Sequence, residues 1–516
     1  MHACYKTFST SWYPAFVRFL GSRTALVLIA ALFGIQAVWV VLTLRYPGAF
    51  DENFHLGLIR IYAHHWSPLL NGQPSSADAY GAVARDPSYL YHYLMSFPYR
   101  LIALLSDNQT VQIIVLRLIN VALMVGGVFV FARALSRTPL SAPLRNAVLL
   151  FFTAIPIVPL MAGQISYDNL FLPLVALAML WSFEFVQRLR DGTFDGRKLS
   201  GLLILCMTTS LVKYAFLPIF ATLMFYFLFE IRSFRKRTGT SVSLLLRHIR
   251  PSKKPLYIVY ATLLVVTGLL FTQRYGVNLA LYHTPVPDCA QVLTVTECEH
   301  YSPWGRDNAF IKANVGVPRE NAFTYAHKWL QQMMMELFFT VYGVFLANDI
   351  VDYRVGMPVL IFLNTGWVVL AAGFTLSLVF MRKLWRHSSL RIIALVSGAY
   401  TASLLIQNYS MYIATAQPVA IHGRYILPLV PFVFAWFCLA SWEALRYASS
   451  HIKFLKTAVP AIKAAGFVAL ILLTTQGGGI ITYIIRSDDT WVWQQNSHAQ
   501  QAHRIVRNIL KPVVAE

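Results

Sequence analysis

Apolar runs of bilayer-crossing length recur along the chain and are parted by short polar stretches, many of them basic. A run of about twenty apolar residues with few charges reads as a membrane-spanning helix. On that rule the spans fall at about 24–44, 110–132, 147–163, 170–186, 199–211, 215–229, 256–273, 357–381, 390–412, 426–445 and 464–485. Pro156 and Pro159 are expected to bend the third span. Phe54–Trp66 and the stretch from Asp86 to about Leu105 have amphipathic helical patterns, which places them at the membrane surface. Residues 326–347 are apolar, but a crossing there would put every later basic loop on the wrong side. They are read as an interfacial or re-entrant helix. The expected fold is therefore all-α and polytopic, with about eleven spans and interfacial helices in the first and fourth outside loops.

Composition agrees. Of 516 residues, 57% are hydrophobic and 13% charged, about half the charge of a soluble domain. The formal net charge is +21. Alternating the loops from an inside N-terminus assigns 26 of the 43 Lys and Arg, and 5 of the 22 Asp and Glu, to the inside segments and their flanks. The whole basic excess falls on one side, as membrane orientation demands. This balance calls for anionic lipid as a neighbour and removes any need for nucleic acid. The first run is long and lacks a small-residue cleavage pattern, so it is expected to stay as a span.

The resulting organisation is a leader (1–23), an N-terminal transmembrane module (24–230) with a first outside loop (45–109), a basic inside loop (231–255), a C-terminal transmembrane module (256–485) with an outside loop (274–356), and an outside tail (486–516). Cys289 and Cys298 share that second long loop. Their spacing admits either a disulfide or two free thiols. No zinc spacing, phosphate-binding glycine loop or nucleophile elbow is present. Any group transfer must then use a substrate that arrives activated.

On this topology the chemistry-bearing residues share one depth on the outside. Asp51, Glu52 and His55 open the first loop; Arg85 and Asp86 close it. Asp168 and Asn169 lie in the second, Lys213 ends the fifth span, and His422, Arg424 and Tyr425 lead into the tenth. Each has a plain alternative. Lys213 and Arg117 can snorkel to the boundary, Asp168 can cap the fourth span, and His64 and His65 are interfacial. Arg424 can mark a membrane edge, although it runs against the inside-positive trend. The acid pair Asp51–Glu52 is hardest to dismiss, because topology does not need it and charge at a membrane edge is costly. A carboxylate can take the proton of an attacking hydroxyl. Arg, Lys and His can stabilise a departing phosphate. A second acid, Glu52 or Asp168, can orient the acceptor or hold a divalent cation such as Mg or Mn.

The motifs resemble the GT-C superfamily of membrane glycosyltransferases, which use polyprenyl-phosphate-linked sugars. Asp51-Glu52-Asn53-Phe54-His55 resembles the first-loop acidic motif of protein O-mannosyltransferases and aminoarabinose transferases. Asp86-Pro87-Ser88-Tyr89-Leu90-Tyr91 and Leu116-Arg117-Leu118-Ile119-Asn120 resemble their Pro-Pro-aromatic helix and Arg-Leu span, with Asp86 where Pro is common. Ser166-Tyr167-Asp168 and Leu211-Val212-Lys213-Tyr214 match the second acid and the Thr-Lys motif. His422-Gly423-Arg424-Tyr425-Ile426-Leu427-Pro428 resembles the signature of an uncharacterised bacterial GT-C-like membrane family.

The resemblance implies Asp51 as general base and Glu52 as its companion acid. Asp168, Asn169 and His55 would position the acceptor, a glycan or glycolipid on the outer face. Arg424, Lys213, Arg85, Tyr425 and His422 would hold the donor phosphate. A bacterial inner membrane is the expected location, with the N-terminus cytoplasmic and the C-terminus and site outside. Two rivals stand beside this reading. An O-antigen polymerase or ligase would use Arg306 and His300 of the late loop. A transporter or flippase would show internal repeats and midplane charge, neither of which is evident.

Overall fold

The computed structural model describes residues 14–48, 51–75, 77–241, 255–338, 357–487, 491–493 and 497–514. Every regular element among them is helical; strand pairing is limited to one isolated antiparallel bridge, Leu44 with Val492. Much of the leader, residues 242–254 of the basic loop and residues 339–347 of the re-entrant expectation lie outside the described residues.

Among the described residues, seven helices are long and apolar enough to cross a membrane. The chain is a polytopic all-α membrane protein. Helices overlie each of the eleven expected spans; those at 147–163 and 199–211 are short for a crossing, and Val430–His451 carries Glu443 and Arg446. Helix α1 (Arg23–Thr43) starts at Ser22, whose hydroxyl accepts from Ala25 N–H. The side chain satisfies a donor that the first turn leaves free. Helix α2 (Glu52–Ala63) and helix α3 (Leu90–Leu105) occupy the loop between the first two expected spans. They pack on each other, and Arg100 of α3 donates to the Ala63 and Tyr62 carbonyls at 2.8 and 2.9 Å. Long helices α4 (Gln109–Leu135) and α5 (Asp168–Arg190) form the centre of the bundle.

The expected third span is broken rather than bent. It runs as Ala142–Ala154 and Ile157–Ala162, because Pro156 cannot continue the hydrogen-bond ladder. The last span is also split, into Lys453–Gln476 and Ile481–Arg486, with Gly479 at φ 59 in the break. Large apolar side chains such as Ile35, Phe225, Phe229 and Leu269 stay exposed, which suits lipid contact. The buried core runs between α1, α4, α5 and their neighbours. Helix α6 (Ala322–Phe338) covers part of the expected re-entrant stretch and packs beside the turn at residues 423–426. Cys289 and Cys298 form a disulfide with their Cα atoms 5.8 Å apart. It joins two short helical turns, each closed by a capping box: Asp288 with Gln291, and Thr294 with Glu297.

Candidate active site

Asp51 is the residue just before α2, in the left-handed region at φ 62 and ψ 31. Asp tolerates that region better than most side chains, yet it carries strain that the surroundings must hold. Its side chain does not cap the helix. Instead Oδ2 accepts from Arg424 Nη2 at 2.6 Å, across 373 residues of sequence. The Asp51 side chain is 62% exposed, whereas that of Arg424 is 6% exposed. The carboxylate is thus accessible while the cation that holds it is buried. Partial desolvation pushes the Asp51 carboxyl up, but Arg424, with Lys213 behind it, outweighs that and holds it below the usual carboxylate range.

Arg424 sits in a short 3-10 turn, Gly423–Ile426, before the tenth expected span. His422 Nδ1 accepts from Arg424 N–H at 3.1 Å and fixes the entry to that turn. Burial, then the charge of Arg424, keeps His422 well below its usual pKa, so it is a neutral ring. Trp329 of α6 donates to Asn408 Oδ1 at 3.0 Å, and Asn408 Nδ2 donates to the Ala420 carbonyl at 3.1 Å, which pins the loop leading to the turn. Gly423 is required by space. A Cβ there would lie 2.3 Å from Leu337 N and 2.6 Å from Glu336 C, both backbone atoms. Gly423→Ala is expected to cost about 1–3 kcal/mol by overpacking and to lower the thermal midpoint in detergent. Gly126→Ala, where nothing lies within 4 Å of the added Cβ, should show no such drop.

A second ion pair joins the other two motifs. Lys213 Nζ donates to Asp168 Oδ1 at 2.6 Å, and both side chains are buried. Lys213 also lies 4.4 Å from the Tyr167 ring centroid and 5.1 Å from that of Tyr425, contacts that favour a cation. Tyr425 is shared, since Arg424 lies 5.3 Å from the same ring. Asp168 is the first residue of α5 and takes no capping role: its own N–H donates to Ser166 Oγ at 3.2 Å.

Glu52 is placed differently from the expectation that it shares the chemistry with Asp51. It and Arg117 are both 0% exposed. Arg117 Nε and Nη2 donate to the two carboxylate oxygens at 2.8 and 2.6 Å, a bidentate pair. Gly48 and Ile165 add backbone N–H donors at 2.8 and 3.0 Å. Arg117 Nη1 also donates to the Leu44 carbonyl at 2.6 Å. Arg117 therefore does not snorkel; it ties the end of α1 to α2 and α4.

Asn169 is likewise inward. Its Nδ2 donates to Asn120 Oδ1 and to the Met161 and Gln164 carbonyls at 2.9–3.1 Å, and Tyr91 donates to the same Asn120 oxygen at 2.8 Å. His55 is buried with its Nδ1 2.9 Å from His92 Nε2. Burial drives both rings to the neutral form, His92 down to about 3. Neither Asn169 nor His55 reaches open space in the cleft. Arg85 is half-buried; its backbone carbonyl accepts from Asn278 Nδ2 at 3.0 Å. Nearby, Asp86 accepts from Ser88 N–H at 2.8 Å, and burial pushes its carboxyl up.

Sequence reasoning missed His92, Asn120 and Tyr301. His92 lies in the amphipathic stretch from Asp86 to about Leu105, and pairing it with His55 needs only the assumption that α2 and α3 touch. Among the described residues no three His, Cys, Asp or Glu side chains come together as a metal site. Glu52 and Asp168, the two acids expected to hold a divalent cation, each face a basic side chain instead. Their donor sets do not fit a resident metal.

The fold and this site define a polytopic membrane protein with a polar, ion-paired cleft. No protein-family model and no curated protein matches the chain. Two solved structures resemble it. One is the archaeal oligosaccharyltransferase AglB from Archaeoglobus fulgidus, in complex with an inhibitory peptide and a dolichol-phosphate. It is 12% identical, with a TM-score of 0.46, and the match covers 93% of this chain and 59% of that chain. The other is the Archaeoglobus fulgidus oligosaccharyltransferase tethered through a disulfide bond to an acceptor peptide containing the NVT sequon. It is 12% identical with a TM-score of 0.44, covering 94% and 59% respectively. The chain thus spans about three-fifths of the length of either structure.

Proposed function

We propose that the protein is a membrane glycosyltransferase that moves a sugar from a polyprenyl-phosphate donor to a glycan or glycolipid acceptor. The observation that carries this reading is the 2.6 Å contact between accessible Asp51 and buried Arg424, a base and a phosphate-binding cation meeting in one cleft. In the reaction the acceptor hydroxyl attacks the anomeric carbon, the bond from that carbon to the phosphate oxygen breaks, and polyprenyl phosphate leaves with the electron pair. The acceptor proton passes to Asp51. Arg424 and Lys213 stabilise the charge on the leaving phosphate, and Tyr425 lies against both cations. Glu52, saturated by Arg117, holds the first loop in place instead of reacting.

A cavity of about 330 Å³ is lined by Tyr214, the residue after Lys213, and by Leu217, Pro218, Tyr400 and Leu404 among others. It suits the first isoprene units of the donor. The charge asymmetry supports a cytoplasmic N-terminus and a site on the outer face, away from cytosolic nucleotide sugars; the bacterial inner membrane rests on the motif resemblance. Arg306 is an exposed partner of its neighbour Asp307, and His300 is exposed. That placement gives the polymerase or ligase reading no support.

Purified protein incubated with a panel of polyprenyl-phosphate sugars should consume at least one donor by mass spectrometry. Failure with every donor, in folded protein, would sink the reading. The pH profile offers a second check. Because Asp51 is held below the usual carboxylate range, its ionised form persists to more acidic pH than that of an ordinary aspartate and is lost only as pH falls below that. In Arg424→Ala the burial remains without the cation, so the acidic limb of the residual rate should move to higher pH. An unmoved limb would disconnect Arg424 from the base.

A further inference from the structure

The reaction scheme leaves three aromatic rings beside Asp51 without a task. Phe54 follows Asp51 by three residues, one helical turn, and so lies on the same side of α2. Its ring centroid is 5.9 Å from that of Tyr80 and 6.1 Å from that of Tyr301, with the planes tilted by 50° and 34°. All three residues are half-buried, so each keeps some surface open. Two glycines make room for two of the rings. A Cβ on Gly57 would lie 2.2 Å from the Tyr80 ring, and one on Gly81, at φ +73, would lie 3.0 Å from the Tyr301 ring. Tyr301 is presented by the disulfide-bonded loop, its N–H donating to the Cys298 carbonyl at 3.0 Å. Burial, together with the charges of Asp86 and Asp51, pushes the Tyr301 phenol up, so it stays a neutral hydroxyl facing the acids.

We infer that Phe54, Tyr80 and Tyr301 form a platform on which the pyranose ring of the acceptor sugar stacks, with its attacking hydroxyl beside Asp51. This deepens the proposed transferase reading and rests on it for the reaction. A pyranose presents an apolar C–H face and a polar rim. Aromatic faces take the first while a few placed polar groups take the second. Among the described residues no Lys or Arg stands over the Phe54, Tyr80 or Tyr301 ring, in contrast to Tyr425, which faces two cations. The basic side chains that suit the donor, Lys213 and Arg424, come from other segments and converge on Tyr425. The two ends of Asp51's surroundings thus divide by chemistry into a sugar-stacking side and a phosphate side.

The test is binding of methyl β-D-glucopyranoside and its galacto and manno counterparts to the full chain in lipid nanodiscs, read by saturation-transfer NMR and ligand competition. Wild type should bind at least one. Tyr301→Ala and Phe54→Ala should each weaken it about tenfold or more, while Tyr301→Phe, which keeps the ring, should stay within about threefold. Asp51→Asn should bind the glycoside as wild type does even where transfer is lost, so failure of the base and failure of the platform are separable. With a working donor, Tyr301→Ala should raise the acceptor KM and leave the donor KM unchanged. Folding of each variant is checked by thermal unfolding; if Tyr301→Ala does not fold, Phe54→Ala and Tyr301→Phe decide. Unchanged affinity in a folded alanine variant, no glycoside bound by wild type, or a rise in the donor KM instead would each overturn the platform.

Discussion

Asp51→Asn is expected to lower sugar transfer by about 10²–10⁴-fold, the usual loss when a general base is removed, while leaving the fold intact. The amide has the shape of the carboxylate, and its oxygen can still accept from Arg424. What it loses is negative charge and the ability to take a proton. Stability should change little. The Asp51 side chain is 62% exposed, and pairs with an exposed member contribute modestly. Asp51 also already occupies the left-handed region, which Asn tolerates as well as Asp does. Turnover measured beside thermal unfolding in the same detergent decides the matter. Near-normal turnover would remove Asp51 from the chemistry. A collapse of both would make it a structural residue.

Arg117→Ala should do the reverse, striking the fold before the rate. Arg117 and Glu52 are both fully buried, and removal of the cation leaves a carboxylate in an apolar surround with only backbone donors. Breaking such a pair costs about 3–5 kcal/mol, a large part of the 5–15 kcal/mol that holds a typical domain together. The Leu44 carbonyl loses its partner too. Loss of folded protein on size exclusion and a steep fall in the thermal midpoint are the expected results. Glu52→Gln in the Arg117→Ala background should restore part of the loss, because a neutral amide is cheaper to bury than an unpaired charge. No restoration would mean that packing of the long arginine side chain, and not its charge, is what matters. The two variants also separate the adjacent acids, one by rate and one by stability.

Much of this architecture is legible from residue order alone. Apolar runs locate the helices because a bilayer-crossing segment has to satisfy its own backbone and present apolar side chains. Pro156 announces the break in the third span, although nothing nearby says that the chain will split there instead of bending. The gathering of Asp51 with Arg424 and of Lys213 with Asp168, the two cations meeting at Tyr425, is also readable from the shared depth of these residues. Partner choice is not. Glu52 and Asp51 are neighbours with nearly identical chemistry, yet opposite sides of the helix start send one to Arg117 and the other to Arg424. Those contacts span 65 and 373 residues, beyond any local pattern. Burial is hidden for the same reason, so Arg117 in a span reads as a snorkelling cation until α2 is seen to bring it a carboxylate. Asn169, too, reads as a site residue until its three carbonyl and amide partners account for it.

The pairing of Asp51 with Arg424 has a consequence for biosynthesis. A ribosome adds roughly 5–20 residues per second, so about 20–75 s separate the emergence of the two partners. Throughout that interval the first loop stands in the membrane with its carboxylate waiting for a cation that has not been made. Any chain released early, lacking the segment around residue 424, carries an assembled Glu52–Arg117 anchor and an incomplete cleft. In the proposed scheme such a product would hold the base without the cation that faces it.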